Sequence, residues 1–264
     1  MKEKLKKLSK NKRARKYFWI GVSVLCLITA WWILSATYFV YTDVLPSPPE
    51  VLRLSWSLAG TLSFWISIFS TLWRVALAFL FSFVFGFVLA ILAAYKNAFR
   101  DFVSPIVTVL RALPTLGAVF FLLIFIVSFN TVAIVIAFLM VFPFVYENLY
   151  YAVKETDVEL LQMARVHKIP FSRQVAKIYG LHMMPYIFSN FIAGIGMSLK
   201  VVIAAEIITL SPLGLSLGNQ IARSANEAGG YLFMWLFVAV MLSFALEGVI
   251  RLIGWFCMPW KRVG

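Results

Sequence analysis

Seven ionisable side chains stand in or at the ends of long apolar runs: Arg74, Arg111, Glu147, Lys200, Glu206, Glu247 and Arg251. A charge in hydrocarbon costs about 2.5–3.5 kcal/mol even on insertion scales, so such a group faces a partner or an aqueous path. Spacing sorts them. Glu247 and Arg251 are four apart with the acid first, the favourable order for a helix pair, and read as structural. Lys200 and Glu206 are six apart. On a helix of 3.6 residues per turn they point about 120° away from each other. They cannot easily satisfy one another, so each faces another helix, another subunit or water. Two readings stay open for Lys200: an inter-helix ion pair, or a pathway lining that favours anions. Lys200, Glu206 and Arg111 are the candidate pathway residues.

Catalytic chemistry finds little support. The only histidines, His167 and His182, lack HExxH spacing. Cys26 and Cys257 lie far apart in apolar stretches, away from any metal-ligand pattern, and read as small hydrophobes. No Walker A pattern is present, so the chain is not expected to bind ATP by that route. A membrane-embedded enzyme would need a nucleophile–base or metal set. A non-transporting scaffold would leave Lys200 and Glu206 without a purpose.

The elements that must position these groups are membrane spans. Hydrophobic types make up 62% of the 264 residues and charged types 13%, against about a quarter charged in soluble domains. A chain of this length cannot enclose so much apolar surface. The net charge of +13 does not indicate a nucleic-acid partner, because nine of the 24 Lys and Arg sit in the first 16 residues, abutting an apolar run. That is the mark of a cytoplasmic, membrane-proximal end. The run itself is too long for the core of a cleavable signal peptide.

About 20 apolar residues cross a bilayer. Phe18 to Val40 is one such span and Val75 to Ala94 a second. Ala112 to Tyr146 is uncharged over 35 residues, about 52 Å as one helix, and must turn. Asn130 and Thr131 offer the turn, which gives spans from about Phe102 to Phe129 and from about Val132 to Val153. The fifth runs from about Pro185 to Leu210 and the sixth from about Tyr231 to Phe256. Leu54 to Trp73 is made polar by hydroxyls at 55, 57, 61, 63, 67 and 70, among others. It reads as an amphipathic helix along the outer surface. Gly194 and Gly196 mark a close helix contact. The segments then assigned inside hold 18 Lys and Arg and the outside loops two, Arg53 and Arg223. Both termini are therefore expected in the cytoplasm. The organisation is a basic tail (1–16), a first transmembrane helix (17–41) and a core (42–264) with one long inside loop (154–184).

That loop reads as two short helices. Thr156 or Asp157 can cap the first, with Glu159 placed as in a capping box. Leu160, Leu161 and Ala164 form a stripe, and Pro170 ends the helix. Ser172 can cap a second helix running to Gly180, after which Pro185 opens the fifth span. Such a segment either lies on lipid or docks apolar knobs into a partner's groove.

Here a resemblance enters. Gln162-Met163-Ala164-Arg165-Val166-His167-Lys168, with Pro185 beyond, resembles the EAA loop of binding-protein-dependent ABC importer permeases. Gln162 replaces the Glu, Met163 the first Ala and Lys168 the Gly, and Leu181 stands where a proline is often found. Further matches follow in order: Leu45-Pro46-Ser47-Pro48-Pro49-Glu50-Val51, Thr71-Leu72-Trp73-Arg74-Val75, Leu110-Arg111-Ala112-Leu113-Pro114, and Lys200 through Ile207 with its Ala-Ala-Glu. These are similar to motifs of the nitrate/sulfonate/taurine/bicarbonate branch. The resemblance implies an all-α polytopic membrane protein with six transmembrane helices and the MetI-like permease fold, in the inner membrane. It implies two permease copies forming a homodimer, ABC ATPase subunits that bind the ATP, an extracytoplasmic solute-binding protein, and lipid around the bundle. It assigns ATPase coupling to Glu159, Leu160, Gln162, Met163, Ala164, Arg165, His167 and Lys168. The solute implied is a small organic or inorganic anion, or a vitamin precursor.

Overall fold

The computed structural model describes residues 2–37, 45–126, 128–155, 162–164, 166–170, 173, 180–210, 214–225 and 230–257. Nine helices are delimited among them: α1 (Lys2–Thr37), α2 (Pro48–Ala59), α3 (Leu62–Tyr95), α4 (Asn97–Ala112), α5 (Thr115–Phe125), α6 (Phe129–Lys154), α7 (Gly180–Thr209), α8 (Leu217–Ser224) and α9 (Tyr231–Cys257). The protein is all-α. Five of the helices are long and apolar enough to cross a membrane, and α4 with α5 supplies a sixth if the bent pair counts as one span.

The basic tail and the first span form one helix, α1. Its apolar part, Phe18–Thr37, is barely covered by the rest of the chain. Ser23, Thr29 and Thr37 turn their hydroxyls back on their own helix, Ser23 onto the Trp19 carbonyl at 2.9 Å and Thr37 onto Ile33 at 2.7 Å, which satisfies those donors in lipid. Only its far end is tied down. The Trp31 indole donates to the Pro46 carbonyl at 3.1 Å and the Ser35 hydroxyl to Leu45 at 2.9 Å.

Two expectations need correction. The short helix before the second span does not run from Leu54 to Trp73. It is α2, opened by Pro48 behind Ser47 and closed at Gly60. Leu62 to Trp73 instead belongs to the second span, making α3 34 residues long. Of the hydroxyls that made this stretch look too polar for lipid, Ser67 is fully buried, as is Thr71 beside them, while Ser70 is half-buried and Ser63 exposed. The second correction concerns Phe102 to Phe129, which is not one straight span. It breaks at Leu113-Pro114 into α4 and α5, bent by 102°. Proline disfavours helical backbone in the residue before it, and Leu113 is extended at φ −67, ψ 125.

The remaining spans start within a few residues of their expected places, with two differences of cause. Asn130 and Thr131, expected to turn the chain, lie inside α6, which opens behind Ser128. Pro185 does not open the fifth span but lies inside α7. The core is built where α6 packs between α3 and α7. Gly86 on α3 lets α6 approach so closely that a Cβ there would meet Val145 at 2.9 Å. Gly194 on α7 faces the ring of Phe79, which a Cβ would meet at 2.6 Å, whereas Gly196 has more room, with Glu247 Oε1 at 3.8 Å. Of the two glycines expected at a contact, Gly194 is the one a side chain would block.

Candidate coupling segment and intramembrane charge sites

The coupling segment is described in part. Gln162–Ala164 and Val166 are helical. Glu159, Leu160 and Arg165 lie outside the described residues, as do the capping candidates Thr156, Asp157 and Ser172. Ala164, expected on the docking face, is fully enclosed by its own chain. The outward side chains are Gln162, Met163, Val166, His167 and Lys168. Val166 is 78% exposed and was missed in the reading of the loop. The signal was available, because it follows Met163 by three residues and so shares its face.

The segment ends in a tight reversal. The His167 N–H donates to the Met163 carbonyl at 3.0 Å, and the Ile169 N–H reaches the Ala164 carbonyl at 2.9 Å. Lys168 between them has φ 48. This is the Schellman arrangement, in which the left-handed residue is usually glycine. The position where the resembling loops carry glycine is the one that needs it. A left-handed conformation costs an L-residue about 1–2 kcal/mol, and glycine gives back part of that through chain entropy. Lys168→Gly is therefore expected to stabilise the reversal by up to about 1 kcal/mol. Amide exchange at 166–169 should slow severalfold; unchanged or faster exchange would show that Lys168 bears no strain. At the loop's root, the Tyr186 hydroxyl on α7 donates to the Glu155 carboxylate just past α6, joining its two ends.

Among the intramembrane charges, Glu206 has the densest set of partners. Its carboxylate pairs with Arg74 of α3, and both side chains are buried. The Thr71 hydroxyl donates to Glu206 Oε2 at 2.9 Å, and the Gly218 N–H donates to the same oxygen at 3.0 Å. Thr71 in turn accepts the Leu217 N–H at 3.0 Å. The Arg74 guanidinium also donates to Asn130 Oδ1 at 2.6 Å. A buried charge is tolerable when each lone pair and donor is matched, and here the first turn of α8 supplies part of the match. Gly218 is required by this contact, since a Cβ would lie 2.4 Å from that of Glu206 and 2.6 Å from the Ile203 carbonyl. Glu206, a candidate pathway residue expected to face another helix, another subunit or water, is held here in an inter-helix ion pair.

Arg111 is also paired. It donates to both oxygens of Glu147 at 2.5 and 2.6 Å, joining the end of α4 to α6. The expected Glu247–Arg251 pair is present at 3.3 Å. Lys200 is the exception. It is exposed on α7 and makes no ion pair among the described residues. Nor do the described residues hold any group of three His, Cys, Asp or Glu able to bind a metal.

A bundle of apolar helices, charged pairs across its spans and a partly exposed helical reversal between two of them define a polytopic membrane transport component. The chain belongs to the family of binding-protein-dependent transport system inner membrane components, whose sequence profile matches residues 82–254, well over half of the chain. The protein is thus a multi-pass membrane permease of MetI type, and its family implies a solute-binding protein and ABC ATPase partners. No individual curated protein matches the sequence.

Proposed function

We propose that the chain is the permease subunit of an ATP-driven importer of the nitrate/sulfonate/taurine/bicarbonate branch. Two copies form a homodimer around the solute route, and separate ATPase subunits bind the ATP. They dock on the segment around Glu159, Leu160, Gln162, Met163, Arg165, Val166, His167 and Lys168. Family membership supports the permease role, the motifs at 45–51, 71–75, 110–114 and 200–207 support the branch, and the exposed apolar edge of Met163 and Val166 supports the docking segment. A closing ATPase pair pulls on that edge, and the rigid reversal at Lys168 passes the pull to α7.

Both termini and the coupling loop face the cytoplasm in this reading, and 210–230 faces outward. The support is the lopsided charge, 18 Lys and Arg against two. The test is labelling of single cysteines in a cysteine-free background in intact cells. An impermeant thiol reagent is expected to label Ser47→Cys and Asn226→Cys readily and Lys168→Cys only after permeabilisation. Labelling of the Lys168 site alone in intact cells would invert the topology and remove the ATPase from its docking face.

A further inference from the structure

A cavity of about 390 Å³ opens between α7 and α9. Its polar groups are Lys200, Ser243 and Glu247, and its apolar walls include Ile203, Val240 and Phe244. Lys200 stands nine positions before Thr209, the last residue of α7, and Ser243 twelve after Tyr231, the first of α9. At 1.5 Å per residue these are about 14 and 18 Å from the helix ends, near the midplane of a core about 30 Å thick.

The charges of the cavity do not cancel. Glu247 is neutralised from below by Arg251 at 3.3 Å. Lys200 has no ion-pair partner among the described residues, so one positive charge is left over. An uncompensated ammonium at membrane depth attracts an anion strongly, because little water screens it. The donors are few, however: one ammonium and one hydroxyl, set against mostly apolar walls. A small inorganic oxyanion bears oxygens on every side, so some of them would be turned out of water onto the apolar walls, at high cost. A molecule with one acidic group and a compact apolar body sets the acid on the two donors and the body on the walls.

We propose that the α7–α9 cavity is a solute site within the permease and that it takes a small organic monoanion. The acidic group meets Lys200 and Ser243, and the apolar body lies against Ile203, Val240 and Phe244. This rests on the permease reading and narrows its substrate class from anions in general to organic ones.

The test needs no ATP turnover. In the full chain with its ATPase, reconstituted in nanodiscs, Cys26 and Cys257 are changed to Ser and Ala239, on the cavity wall beside the proposed anion contacts, to Cys. The thiol is then modified by anionic sulfonatoethyl and cationic trimethylammonioethyl methanethiosulfonates. The ratio of the two rates cancels any effect on thiol ionisation and reports the local potential. It is expected to favour the anionic reagent by about tenfold over a free thiol, to fall to the free-thiol value in Lys200→Met, and to recover in Lys200→Arg. Millimolar benzenesulfonate should protect the thiol, and sulfate and nitrate should not. If Ala239→Cys fails to assemble, Leu236→Cys on the same wall of the cavity takes its place. A thiol unreactive to both reagents overturns the proposal, and so does a ratio indifferent to Lys200. Equal protection by sulfate overturns the substrate class, and protection only by long-chain sulfonates reassigns the cavity to lipid. Solute uptake is measured separately. Its absence beside a charge-selective, protectable thiol counts against the permease reading and leaves the site standing.

Discussion

Arg74→Met is expected to cost about 3–5 kcal/mol, because it strands the Glu206 carboxylate in a buried site. In wild type that carboxylate receives Arg74, the Thr71 hydroxyl and the Gly218 N–H. Methionine fills the volume of the arginine stem, so the loss is one of charge rather than packing. The measurement is the midpoint of thermal unfolding in detergent together with the yield of assembled complex. The double variant Arg74→Met/Glu206→Gln should recover much of the loss, since no unpaired ion remains. Gly218→Ala should destabilise the same junction by another route, because the added methyl overlaps Glu206 and the Ile203 carbonyl. A midpoint unmoved in Arg74→Met would mean that the pair is solvated and that α8 is held by other contacts.

Met163→Asp combined with Val166→Asp is expected to abolish solute uptake, by at least about a hundredfold, while the permease still inserts. Both side chains are exposed, so the double change places two charges on the proposed docking edge without disturbing the permease core. A charge pressed into a partner's apolar groove without a counter-ion costs several kcal/mol, and each 1.4 kcal/mol is a factor of ten in affinity. The readouts are co-purification of the ATPase and transport, with membrane yield as control. Retained co-purification and transport would refute the docking assignment. Ala164→Asp is a different experiment. Ala164 is enclosed by its own chain, so its failure would be read in the yield of the permease itself.

The sequence reading went wrong where hydroxyl content was taken for exposure. Ser67 and Thr71 look unsuited to a span only if they face lipid. Once Thr71 faces Glu206 and Ser67 faces Gln220 at 3.3 Å, they belong in the interior. The turn that separates α2 from α3, at Gly60-Thr61, was written in the residues but passed over. Pro114 likewise signals the break between α4 and α5, yet only the fold turns that break into a bend of 102°. In the coupling segment the Gly-to-Lys departure at 168 was legible, and the left-handed backbone that gives the position its meaning was not.

Some of this protein follows from its sequence alone. Hydrocarbon of fixed thickness demands apolar runs of fixed length, so the spans, their order and the rarity of charge within them were readable along the chain. The Glu247–Arg251 pair was readable too, because its geometry is set within one helix. The opposing 120° of Lys200 and Glu206 excluded one pairing on the same ground. What that geometry could not supply was the partner. Arg74 lies 132 residues from Glu206, and Arg111 lies 36 from Glu147. Which charge meets which depends on how each helix is rotated about its axis and on where a glycine lets two backbones close. Those are properties of packing between helices, and they left Glu206 in a closed network and Lys200 facing an open cavity.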